Sequence, residues 1–311
     1  MWRALKSIFF IIMVAEFIFG NLSNGFIVVM NCIDLGNKRN FSSVDQIITI
    51  LAISRISVLW QTFVSLFQNT YYSFSLVDET KVRIGIFSWI VSNHFSLWFA
   101  TILSILYLLK IATFSWPAFL YLKWRVKKVT LIMLLGNLVF LILNLTEVDI
   151  HIEDLIHQLE KNTTWDSKVS EIKKLSMQVR LKITLFSLIP FTVALTSCLL
   201  LIVSLWKHLQ KMQLTSKGRR DPRTKALINA LKIMISFLLL YAAYFLSYLI
   251  SWISKVHENT LAHFVGITVG LLYPSGHSFI LILGNSKLRQ TSLLGLKWLR
   301  CGKKHNKLTI A

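Results

Sequence analysis

Residues 228–253 read INALKIMISFLLLYAAYFLSYLISWI. Lys232 is the only charged side chain in this stretch, and it lies close to one end. The apolar residues cover most faces of a helix and do not alternate, which argues against both a surface helix and a barrel strand. A helix of about 20 mostly apolar residues crosses a bilayer. Six further runs have the same character, at residues 8–33, 44–68, 84–109, 129–145, 183–206 and 262–284. Backbone in hydrocarbon must satisfy its own hydrogen bonds, so such runs span as helices. The expected fold class is therefore all-α: a seven-transmembrane helix bundle over residues 1–284, followed by a basic tail over residues 285–311.

The run at 129–145 is the shortest and on length alone also fits an interfacial helix, but an odd number of spans agrees better with the charges. Twenty-one Lys and Arg fall on one side of the seven spans, against eleven on the other, and the poorer side also holds ten of the fourteen acids. The positive-inside rule then places the tail in the cytoplasm and the N-terminus outside. Arg3 and Lys6 before an apolar run resemble the start of a secretory signal. That run continues through Asn21, Asn24 and Asn31 with no small-residue cleavage site, so it reads as the first span.

Composition agrees. The 311 residues are 54% apolar and only 15% charged, with a mean hydropathy of +0.59, values that exclude a disordered chain and disfavour an ordinary soluble domain. The net charge of +20 must lie outside the lipid. Three cysteines, Cys32, Cys198 and Cys301, do not make a disulfide scaffold, and all three fall in expected membrane or cytoplasmic segments. The largest segment outside the runs, residues 146–180, is expected to be an outer loop with no disulfide to hold it. It contains Asn162-Thr163-Thr164, a glycosylation acceptor on the accessible side. Asn144-Leu145-Thr146 also matches, but sits at the membrane edge.

Ionisable groups inside spans are costly and point to function. Arg55, in the middle of the second run, is expected to face the bundle and bond backbone carbonyls or polar groups such as Asn24, with Glu16 a second candidate partner. Lys232 can snorkel. His94 in the third run is a further group to weigh. No His-Glu-x-x-His pair, Gly-x-Ser-x-Gly elbow, phosphate-binding glycine loop or Cys-x-x-Cys is present, so no catalytic residue, metal site or cofactor is expected. Nor is a nucleic-acid partner. A transporter or channel is the alternative membrane class. Pro190 and Pro274 do interrupt runs, but the two halves show no obvious repeat, and no ring-forming acidic motif is evident.

A receptor needs an outer cavity for a ligand and an inner face for a partner. Trp89 and Asn93, four apart, share a face of the third run and combine an aromatic wall with an amide. Tyr241, Tyr244 and Tyr248 form a stripe on the sixth. The loop 207–225, with Lys217-Gly218-Arg219-Arg220, is a basic surface suited to anionic membrane lipids or an acidic protein.

Several ordered segments together resemble the mammalian type 2 taste receptors, the bitter receptor family of G-protein-coupled receptors. They are Gly20-Asn21 with Asn24-Gly25-Phe26-Ile27, Leu51-Ala52-Ile53-Ser54-Arg55, and Leu108-Leu109-Lys110-Ile111-Ala112-Thr113-Phe114-Ser115. Further on come Pro190-Phe191, Ser204-Leu205-Trp206-Lys207-His208, and Tyr273-Pro274-Ser275-Gly276-His277-Ser278-Phe279-Ile280-Leu281. Like that family, the chain has no Asp-Arg-Tyr closing the third run and no Asn-Pro-x-x-Tyr in the seventh.

The resemblance implies a multi-pass plasma-membrane receptor for chemically diverse small bitter agonists, activating a gustducin-type heterotrimeric G protein and leading to calcium release. It implies ligand contact at Trp89 and Asn93, an activation-linked aromatic at Tyr244, and an agonist-tuning position at Ile267. Some members carry an acid at that last position, so Ile267 implies a weaker preference for cationic agonists. Asn24, Arg55, Lys110, His277 and Ser278 lie in the matching segments and are expected to serve structure or activation. The family's outer-loop glycosylation site coincides with Asn162. Cys301 in the tail is a candidate for palmitoylation, and oligomeric state is not legible.

Overall fold

A computed structural model of the chain describes residues 2–37, 42–71, 79–161, 165–215, 222–257, 259–285 and 287–294. Among them are eight helices: α1 (Trp2–Gly36), α2 (Ser43–Tyr71), α3 (Glu79–Ile111), α4 (Pro117–Trp124), α5 (Val126–Lys161), α6 (Trp165–Thr215), α7 (Pro222–Val256) and α8 (Thr260–Gly284). Residues 287–294 are also helical. Seven helices, all but α4, are long and apolar enough to cross a membrane.

Local chemistry sets several helix starts. The Ser42 amide donates to Asp45 Oδ2 at 3.0 Å while the Asp45 amide donates to Ser42 Oγ at 3.2 Å, a reciprocal cap that opens α2. Pro117 sits in the first turn of α4, where a missing N–H costs nothing. The Asn259 side chain caps α8 by accepting from the Ala262 amide at 3.1 Å. Asn285 Oδ1 then accepts from the Lys287 amide at 3.0 Å, and Lys287 Nζ pairs with the buried Asp34 carboxylate of α1 at 2.6 Å.

The helices pack as a closed ring. α1 touches α2, α2 touches α3, α5 touches α3 and α6, α6 touches α7, α7 touches α8, and α8 returns to α1. α3 also packs on α6 and is the most buried of the seven, with 72% of its most apolar window inside, against 11% for α1. Gly20 permits a close approach of α1 to α2 and α8: a Cβ there would lie 2.7 Å from Leu59 Cδ1 and 3.0 Å from Ser275 Cβ.

The stretch read as an outer loop, 146–180, is mostly helical. α5 runs on to Lys161 and α6 begins at Trp165. The segment contains no Gly or Pro and many Glu, Lys, Leu and Gln, residues that favour helix. Ion pairs hold these extensions to the bundle. Arg83 of α3 meets Asp149 of α5 at 2.7 Å, and Lys182 of α6 bonds Glu147 of α5. Asn162 lies outside the described residues, as do Lys217, Arg219, Arg220 and Cys301.

Candidate functional site

Arg55 on α2 is fully buried. Its Nη1 donates to Ser278 Oγ at 3.1 Å, its Nη2 bonds His277 Nδ1, and its guanidinium carbon lies 4.8 Å from the ring centre of Tyr273. A guanidinium has only donors, so the facing Nδ1 must carry its lone pair; His277 is therefore neutral, with its proton on Nε2. Ser278 Oγ donates in turn to Asn24 Oδ1 at 2.6 Å, and Asn24 Nδ2 donates to the carbonyls of Gly20 and Pro274 at 2.8 and 2.9 Å. Three helices are thereby joined. The expected direct bond between Arg55 and Asn24 is replaced by one through Ser278, because α8 inserts between them. Glu16 is no partner of Arg55, and its buried Oε2 accepts no hydrogen bond from any described residue.

Asn93 on α3 has both ends of its amide engaged. Nδ2 donates to Tyr248 Oη at 2.7 Å, and Oδ1 accepts from the hydroxyl of Tyr244. Tyr248 also donates to Tyr244 at 3.1 Å. Trp89 meets the ring of Tyr248 edge-on, with centroids 6.5 Å apart. From here aromatic contacts run inward. Tyr244 lies 4.8 Å from Tyr273, which lies 5.8 Å from His277 and under Arg55. The amide of α3 is thus connected through α7 to the Arg55 network without a gap. Tyr244 and Tyr273 carry this connection, with Tyr248 bracing its outer end. The 241–244–248 stripe announces the first; the second is marked only by its place before Pro274.

Asn93 also borders a small recess with about 10 Å³ of free space, lined by Ile90, His94, Leu97 and Trp98 of α3, by Asn144 of α5, and by Ile183, Phe186, Ser187 and Pro190 of α6. His94 Nε2 donates to the carbonyl of Asn137 at 3.0 Å, tying α3 to α5. The glycosylation-type sequence at Asn144 lies inside helix α5 with its asparagine buried. Ile267 lies apart from these groups, packed against the cluster of Met13, Leu59 and Leu271 where α1, α2 and α8 meet.

At the C-terminal end of α3, Leu108, Leu109 and Ala112 are buried and Lys110 is exposed. The Thr113 amide donates to Ser204 Oγ of α6 at 3.2 Å, and Lys123 Nζ of α4 donates to the Ala112 carbonyl at 2.8 Å. Lys232 is exposed, as its expected snorkelling requires. Among the described residues no cluster of His, Cys, Asp and Glu is arranged to hold a metal ion.

The family model described as Taste receptor protein (TAS2R) matches residues 1–300. The chain is 62% identical over 294 residues to Taste receptor type 2 member 13 of Papio hamadryas, covering 94% of this chain and 97% of the relative. It is 60% identical to the Homo sapiens protein of that name, with the same coverage. For the Mus musculus protein the identity is 58%, over 94% of this chain and 96% of the relative.

Proposed function

The chain belongs to the type 2 taste receptor family, and on that premise we propose that agonists act between α3 and α7, at Trp89, Asn93 and Tyr244. A receptor of this family is a G-protein-coupled bitter receptor of the plasma membrane, which takes small-molecule agonists and couples to a heterotrimeric G protein. It is a receptor rather than an enzyme, and the transporter or channel alternative is not favoured.

The observation that carries the proposal is the contact of Asn93 with Tyr244 and Tyr248. It is a polar joint between α3 and α7 buried in an apolar bundle, and it leads through Tyr273 to Arg55. An agonist changes a conformational equilibrium only by binding one arrangement better than the other. Contact that competes with this joint supplies such a difference: Trp89 offers stacking area, Asn93 orients, and Tyr244 passes the change to α8. Movement of α7 then opens the inner end beside residues 108–112, where exposed Lys110 and the basic segment 207–225 meet a gustducin-type G protein. Asn24, Arg55, His277 and Ser278 form the fixed point of that motion. Ile267, in an apolar cluster, disfavours cationic agonists. The receptor domain is residues 1–284 with the N-terminus outside and Asn162 glycosylated, and the tail 285–311 meets anionic membrane lipids.

The test is calcium release in cells expressing the chain with a gustducin-like Gα chimera, challenged with bitter compounds, while an N-terminal tag is stained on intact cells. A response that vanishes without the G protein supports coupling. If Trp89→Ala and Asn93→Ala both reach the surface and keep normal agonist sensitivity, the site is wrong.

A further inference from the structure

α4 (Pro117–Trp124) has eight residues, too few to cross a bilayer, yet it turns an apolar stripe away from the protein. Phe119 is buried against Phe114, with ring centres 5.2 Å apart, and Lys123 Nζ donates to the Ala112 carbonyl at 2.8 Å. This side of α4 therefore holds the end of α3. The opposite side carries Pro117, Leu120, Tyr121 and Trp124, which are all exposed and are spaced i, i+3, i+4 and i+7, so they share one face. Trp124 is 86% exposed and Tyr121 55%. Trp116, stacked on Phe114 just before the helix, adds a third exposed aromatic. An apolar stripe that points outward from a helix whose inner side is already pinned marks contact with something beyond the chain.

The residues around α4 define the chemistry of that partner. Arg125, Lys127 and Lys128 follow the helix and are exposed, and no Asp or Glu occurs between Glu79 and Glu147. The guanidinium carbon of Arg125 lies 4.7 Å from the ring centre of Tyr121, so cation and aromatic face are presented together. Tyrosine and tryptophan beside unopposed cations suit the headgroup level of an anionic membrane. Position agrees: α5 begins at Val126, just after Trp124, and is long and apolar enough to span, so α4 lies where the chain enters the bilayer. With one sign of charge and no acid to fix a register, the surface matches a plane of anionic headgroups better than a single protein footprint. We propose that α4 is an interfacial anchor: Leu120, Tyr121 and Trp124 insert among anionic phospholipids of the cytoplasmic leaflet, and Arg125, Lys127 and Lys128 bind their headgroups. The choice of leaflet rests on the orientation proposed above; the insertion does not. Through the bond from Lys123 to Ala112, the anchor ties the inner end of α3 to the lipid surface.

The experiment uses the purified full-length receptor in nanodiscs of phosphatidylcholine, with or without phosphatidylserine, and no G protein. A nitroxide is attached at Leu120→Cys in a background of Cys32→Ser and Cys301→Ser; Cys198 is buried and stays unlabelled. Its collisions with oxygen, which concentrates in lipid, are compared with its collisions with a water-soluble nickel chelate. Oxygen contact should dominate when phosphatidylserine is present. Nickel contact should rise about two-fold or more without that lipid, or in about 1 M salt, which screens the headgroup charge. Arg125→Gln, Lys127→Gln and Lys128→Gln together should produce the same rise. Dominant nickel contact in both discs overturns the proposal, and so does oxygen contact that neither lipid charge nor the triple substitution alters. Burial that appears only when a heterotrimeric G protein is added assigns the face to that partner and overturns it as well. Should the labelled receptor fail to fold, brominated phosphatidylcholine takes the place of the nitroxide: Trp124→Phe lowers the lipid-quenched share of tryptophan fluorescence if Trp124 is inserted, and an unchanged share refutes insertion. No agonist enters these measurements, so a failed anchor and a failed agonist site are separate outcomes.

Discussion

The two flanks of α3 are joined to their neighbours in different ways. Toward α1, α2, α7 and α8, Asn24, Arg55, Asn93, His277 and Ser278 bond to one another or to nearby carbonyls and hydroxyls. Toward α5, His94 donates to the Asn137 carbonyl, while the Oδ1 atoms of Asn137 and Asn144 have no partner among the described residues, as is also true of Glu16 Oε2 and the Tyr241 and Tyr273 hydroxyls on the first flank. A Cβ on Gly20 of α1 would collide with α2 and α8, whereas one on Gly136 of α5 would meet nothing within 4 Å. In a bilayer no water repairs an unmet bond. The flank joined by the Asn24, Arg55, Asn93, His277 and Ser278 bonds therefore reads as the part that fixes and transmits structure.

Replacing Arg55 tests this division most severely. Arg55→Leu strips Ser278 and His277 of their donor and removes the cation above Tyr273; breaking such a buried polar set costs about 3–5 kcal/mol. Surface staining and the thermal unfolding midpoint should both collapse. Arg55→Lys should rescue little, because a point charge cannot reach Ser278 and His277 as the guanidinium fork does. A stable, signalling Arg55→Leu receptor would remove the ground for calling this flank the fixed one.

Glycine substitution compares the flanks directly. Gly20→Ala must push Leu59 and the Ser275 backbone aside, a cost of about 1–3 kcal/mol. Gly136→Ala adds a methyl in open space and should leave stability unchanged or raise it by up to about 1 kcal/mol. Similar midpoints for the two variants would break the contrast in packing.

The joint at Asn93 is the next step down. Asn93→Ala and Tyr244→Phe each remove a bond, and their double mutant should show a coupling of about 1 kcal/mol, measured by a thermal unfolding cycle. Coupling near zero would mean that the contact transmits nothing between α3 and α7.

Seven runs of apolar residues were enough to define the bundle, because hydrocarbon leaves the backbone no alternative to helix. Trp89 and Asn93 were legible as one face from their spacing alone. Two things were not. The helical course of residues 146–161 and 165–180 was hidden by their charge, which reads as loop although the same residues favour helix once a bundle is there to extend. The burial of Asn144 was concealed by its glycosylation-type sequence, and no periodicity reports that a side-chain oxygen lacks a donor. Arg55 was read correctly as facing inward. Its partners were legible only as a motif on a helix more than two hundred residues away.

The smallest effect is expected at the ends of α3 and α5. Arg83 pairs with Asp149 at 2.7 Å, but their side chains are 31% and 42% exposed. Arg83 also has Glu153 within 3.5 Å. A half-exposed pair with a substitute partner is worth less than about 1 kcal/mol, and salt screens it further. Asp149→Asn should therefore lower the unfolding midpoint slightly at low ionic strength and not at all in about 1 M salt, where the screening length is only a few ångströms. A larger loss than that of Asn93→Ala would mean that charge at the helix ends, rather than the buried polar joint, holds α3 in place. The contrast between the flanks would then have to be redrawn as one between the ends of the bundle and its middle.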